Sequence, residues 1–127
     1  KESGESLIKL LNGLINIISK KNPEQWRKFI QTYSRLAHQD IDLFLLHFKL
    51  IQIWFRSVNR LNKNIDDILH KTDFRLSMEQ LINLFPKADY SSINFELENT
   101  ILSIPKNLHM PLILTNLLTR IHKYLNR

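Results

Sequence analysis

Five histidines and one adjacent pair of aspartates are the side chains of this chain best suited to acid–base or metal chemistry near neutral pH. His38, His47, His70, His109 and His122 fall in separate segments. No two of them stand at the i, i+4 spacing that lets one helix face present a ligand pair, so no metal site is expected. Asp66 and Asp67 are neighbours in sequence, and neighbours point apart on a helix, so they read as a solvated turn and not as an acid/base pair. The chain contains no cysteine, which removes thiolate chemistry, disulfides and Cys-based zinc sites and favours a reducing, intracellular compartment. A phosphate loop of the GxxxxGK[ST] kind, a GxGxxG fingerprint, HExxH and a nucleophile elbow are all missing from the sequence. No catalytic, cofactor-binding or metal-binding residue is therefore assigned, and the chain reads as non-enzymatic.

What remains is charge. Eighteen Lys and Arg against twelve Asp and Glu leave a net charge of +6, enough to attract nucleic acid or an acidic protein surface. From Asn99 to Arg127 no acidic residue occurs, while Lys106, Arg120, Lys123 and Arg127 are basic. The aromatic residues Trp26, Phe29, Phe44, Phe48 and Phe55 lie on apolar stripes and belong to a core, not to a base-stacking platform. Contact with DNA is accordingly expected to be indirect or weak, and a basic helical nucleic-acid-binding module is the alternative reading.

The elements that would carry these side chains are helices. Two glycines and four prolines in 127 residues leave little material for the tight turns of an all-β chain. Leu7, Leu10, Leu11, Leu14, Ile17 and Ile18 form a first helical stripe, closed by Lys20 and Lys21. Asn22 as a cap, Pro23 in the first turn and Gln25 three residues after the cap open a second helix, which forms a hairpin with the first. A third helix runs from about 40 to 61. It carries one stripe at Ile41, Phe44, Leu45, Phe48, Ile51, Phe55 and Val58 and another at Leu43, Leu46, Leu50, Ile53 and Trp54. Two stripes predict burial on several sides, hence the central helix of the bundle. Residues 62–76 have weak periodicity and read as a weakly ordered connection. Ser77 and Gln80 read as a capping box for a short helix through Met78, Leu81, Ile82 and Phe85, stopped by Pro86. Ser91 or Ser92 caps a helix through Phe95, Leu97, Ile101 and Ile104 that ends before Pro105. A last helix starts near Met110, with Ile113, Leu114, Leu117, Leu118, Ile121 and Leu125 on one face. The expected fold is an all-α bundle of five to six helices forming a single domain over 1–127.

The most apolar segments do not read as membrane spans. Leu7–Ile18 is too short and is interrupted by Lys9, Asn12 and Asn16, and Ile41–Val58 holds Asp42, His47, Lys49, Gln52 and Arg56. Lys1 stands where an initiator Met would, so a fragment of a longer chain is expected.

The string LILTNLLTRIHKYL, Leu112 to Leu125, resembles the closing helix of the C-terminal collar domain of the bacterial clamp-loader delta-prime subunit of DNA polymerase III. The stretch INFELENTILSIPKNLHMPLIL is similar to that domain's last helical pair, with Asn107 in the loop. QWRKFIQTYSRLAHQDIDLFLLHFKLIQIWFRSV resembles its Trp-containing helix and the long helix after it, down to an aromatic-x-Arg step at Phe55 and Arg56. Residues 62–74 fall outside the resemblance. The resemblance implies a cytoplasmic replication protein whose helical collar holds the five loader subunits in a ring. The family's ATPase-type modules, which handle ATP, clamp and primed DNA, would precede this segment, and no catalytic residue carries over. Partners would be the other loader subunits, with no membrane and no small-molecule substrate. Arg56, Arg60, Arg120, Lys123 and Tyr124 are the candidate partner contacts. A gamma- or tau-type collar domain shares this fold and differs upstream.

Overall fold

The structure, a computed structural model, describes the backbone of residues 2–104 and 109–126 and the side chains from Ser6 within those ranges. Among the described residues six α-helices follow one another: α1 Glu2–Ser19, α2 Pro23–Gln39, α3 Ile41–Asn62, α4 Phe74–Leu84, α5 Tyr90–Ser103 and α6 Met110–Leu125, with a short 3-10 turn at Ile68–Lys71. No strand occurs among the described residues, so the chain is an all-α bundle. Pro105, Lys106, Asn107 and Arg127 lie outside the described residues.

Several helix starts follow from local chemistry. Asn22 takes the extended backbone of a cap, its side chain accepts from the Gln25 amide at 3.1 Å, and Pro23 occupies the first turn without wasting a donor. Asp40 does the same for α3 through the Leu43 amide at 3.1 Å. Two expected starts are corrected. Ser77 caps nothing, because α4 has already begun at Phe74 and the Ser77 hydroxyl donates to the Phe74 carbonyl at 2.9 Å. Likewise α5 is capped by Asp89 and not by Ser91 or Ser92: the Asp89 carboxylate accepts from the Ser92 amide at 3.0 Å and from its hydroxyl at 2.7 Å. Lys20 and Lys21 follow directly on the end of α1 at Ser19.

α3 packs against α1, α2, α4, α5 and the 3-10 turn. Phe44, Phe48, Ile51, Trp54, Phe55 and Val58 are fully buried, and Phe44 and Phe48 stack at 4.4 Å with the Tyr33 ring edge-on to both. The second stripe behaves differently. Of its members Trp54 is buried and Leu50 half-buried, but Leu43, Leu46 and Ile53 are exposed. Ile41, at the start of the first stripe, is exposed too. Thus α3 buries one broad face and leaves an apolar flank uncovered. Leu114, Leu117, Leu118, Ile121 and Leu125 bury the inner face of α6 against α5, α2 and α1. Trp26 on α2 joins this end, donating its indole N–H to the Ile17 carbonyl at 2.9 Å with the His122 ring at its edge. The first two helices touch as the hairpin reading requires, and α2 also packs on α3 and α6.

Residues 62–76 hold more regular structure than their weak periodicity suggests. Asn64 adopts a left-handed φ of 58°, a conformation asparagine tolerates better than most residues, and turns the chain out of α3. Asp67 then caps the 3-10 turn through the Leu69 amide at 3.0 Å. His70 is buried and its Nε2 donates to the Ser57 carbonyl at 2.8 Å, fastening this turn to α3.

Candidate partner surface

The histidines are dispersed by this fold. His47 is hydrogen-bonded to the Tyr33 hydroxyl at 2.9 Å, His70 is buried against α3, and His122 lies beside Trp26. Among the described residues no three His, Asp or Glu side chains converge as a metal site would need. Asp66 is exposed, and Asp67 is occupied in capping and in an ion pair, so the two carboxylates serve a turn.

The five candidate contacts divide between two helices that both pack on α5. Arg56 and Arg60 are exposed on α3, one turn apart. The Arg60 guanidinium meets Asp67 at 3.2 Å. Burial alone would raise the Asp67 pKa, but the Leu69 amide and the charges of Arg60 and His70 outweigh it and hold the carboxyl below its ordinary value. On α6, Arg120 reaches across to Glu96 of α5 at 3.1 Å, so this cation clamps two helices together. Lys123 is exposed. Tyr124 is half-buried on the core, and its backbone carbonyl accepts from the Asp89 amide at 2.9 Å, tying the end of α6 to the start of α5. Arg60, Arg120 and Tyr124 therefore have structural duties, while Arg56 and Lys123 stand in solvent.

Two apolar patches that charge-based reasoning passed over are the stronger surface feature. On α3, Leu43, Leu46 and Ile53 fall on one flank, Leu46 and Ile53 being 52% and 46% exposed. On α5, Phe95 and Leu102 stand seven residues apart on one face, 63% and 64% exposed. The helical period identifies both faces in the sequence, but only the packing decides which apolar stripe is covered. Compared with protein-family models, curated proteins and solved structures, the chain gives no significant match. Among the described residues no helix is long and apolar enough to cross a membrane.

Proposed function

We propose that this chain is a non-catalytic assembly module, the collar domain of a delta-prime-type clamp-loader subunit, which holds its subunit in a cytoplasmic ring that loads a sliding clamp on primed DNA. The observation that carries the reading is that large apolar side chains stay uncovered on separate helices, among them one patch on α3 and another on α5. A subunit in a ring with unlike neighbours meets each through a different surface, so a collar domain must offer two patches. Large apolar side chains left in water are the usual mark of such surfaces. The helix order agrees with the resemblance: the string Leu112–Leu125 lies within one helix, α6, preceded by α5 as the other member of the final pair. A gamma- or tau-type subunit fits the same surfaces, and the residues upstream decide between them, through a degenerate or an intact phosphate loop.

Direct phosphate binding by the basic helices is the poorer reading, since Arg60 and Arg120 would have to leave Asp67 and Glu96. Co-expression with the collar domains of the other loader subunits tests the proposal. A stable complex on size-exclusion chromatography is expected. A chain that stays monomeric beside all of them at micromolar concentration overturns it.

A further inference from the structure

We propose that the Leu43–Leu46–Leu50–Ile53 flank of α3 is the seat of one amphipathic helix from a different protein, whose apolar edge is bordered by acidic side chains. This rests on the assembly reading and adds the chemistry of the partner. The spacing of three, four and three residues sets the four side chains on one flank over about 15 Å, room for two to three turns of a partner helix. Leu50 is packed on the core, so the flank is rooted in the rigid part of the bundle. One end of the seat is closed. The next residue along the same line, Ser57, is wholly buried, and its carbonyl is held by His70 of the 3-10 turn. The chain thus covers this flank at Ser57 and leaves it open before that point.

The border of the open part selects the occupant. Lys49, Arg56 and Arg60 line its outer edge, on the side of α3 turned away from the core. Arg60 is paired with Asp67, whereas no ion pair among the described residues engages Lys49 or Arg56. The one acid on this edge, Asp42, sits in the first turn of α3, where it complements the helix dipole. An incoming helix with Glu or Asp beside its apolar stripe would meet both unpaired cations, and a Lys-bordered helix would be repelled. A second copy of this chain is the poorer fit. Its exposed α5 patch brings one uncommitted carboxylate, Glu98, on a molecule of net charge +6.

The test is a fluorescence-anisotropy titration of the whole chain with two labelled peptides of about twenty residues. Both carry the same Leu stripe, one flanked by Glu and the other by Lys. At about 0.15 M salt the Glu-flanked peptide is expected to bind at least about tenfold more tightly. Lys49→Glu with Arg56→Glu should invert that preference. Leu46→Asp with Ile53→Asp should abolish binding of both peptides while helicity and melting temperature are retained, because both positions are exposed. Equal affinity for the two peptides, no binding of the Glu-flanked one, or self-association of the chain broken by Leu46→Asp overturns the inference. A loader complex that forms equally well with the Leu46→Asp/Ile53→Asp chain also overturns it and leaves the assembly reading standing. If the wild-type chain forms no complex, the assembly reading falls while the titration still decides the chemistry of the seat.

Discussion

His47 and His122 illustrate how the fold uses titratable side chains for structure. Each imidazole is partly covered by apolar neighbours, and burial lowers both pKa values below 6.5; the nearby Lys21 charge adds to the effect at His122. The neutral form is the one the folded chain prefers. As pH falls below about 6.5 the unfolded chain takes up protons first, so stability is full above that value and declines as pH drops toward the folded-state pKa values. The thermal midpoint should therefore fall between pH 7.5 and pH 5, and His47→Gln should shallow that fall. A midpoint as steep in the variant as in the wild type would remove His47 from the account. At the alkaline end the sign reverses. Burial pushes the Tyr33 and Tyr90 hydroxyls up to about 12, so the stability they contribute is present below 10 and is lost as pH climbs from 10 to 12. Of the residues picked as contacts for their charge, Arg60 and Arg120 turned out to be held by Asp67 and Glu96. Those partners come from other elements, seven and twenty-four residues away, and nothing in the local pattern announces them.

Helices were legible wherever start signal and apolar period agree. Asn22 with Pro23, Asp40 before the long stripe and Met110 with Pro111 mark α2, α3 and α6 within a residue or two. The starts of α4 and α5 were not, because each offers several polar residues in a row and only tertiary packing chooses among them. Phe74 is buried, which draws the first turn of α4 back from Ser77, and the Thr72 hydroxyl accepts from the Phe74 amide at 3.2 Å in place of the expected cap. Tyr90 is buried likewise, and that burial sets the register that makes Asp89 the cap of α5. Asp89→Ala should cost about 1 kcal/mol in urea unfolding, whereas Ser91→Ala should cost little. A larger loss from Ser91→Ala than from Asp89→Ala would make Ser91 the cap of α5 instead. On α3, Phe48 is fully buried between the Phe44 ring and Tyr33, and Phe48→Ala should cost about 3 to 5 kcal/mol by the same measurement. Leu43→Ala, on the open flank of the same helix, should stay within about 1 kcal/mol. That contrast separates the covered face of α3 from the uncovered one, a division invisible in a helix whose two stripes look equally apolar.

At the scale of the whole molecule the question is what a surplus of positive charge is for. Both of the basic helices considered as contacts have a cation committed inside the fold, Arg60 to the 3-10 turn and Arg120 to α5, so the net charge of +6 overstates the cations ready to meet phosphate. Affinity for duplex DNA scales with the number of phosphates neutralised, and each contact adds roughly 0.9 to the slope of log affinity against log salt. With Arg56 and Lys123 as the solvent-standing members of the candidate set, binding by this surface should show a slope no steeper than about −2 and a Kd no tighter than about 10⁻⁶ M near physiological salt. Anisotropy of a labelled duplex titrated between about 0.05 and 0.2 M salt measures both quantities. A slope of about −3.6, the value for all four cations of the candidate set, would mean that Arg60 and Arg120 abandon their carboxylates for phosphate, and the surface would then be a nucleic-acid interface. A shallow slope, beside a loader complex sensitive to Leu46→Asp, would leave the charge its other use, which is to choose the protein that covers the bare flank of α3.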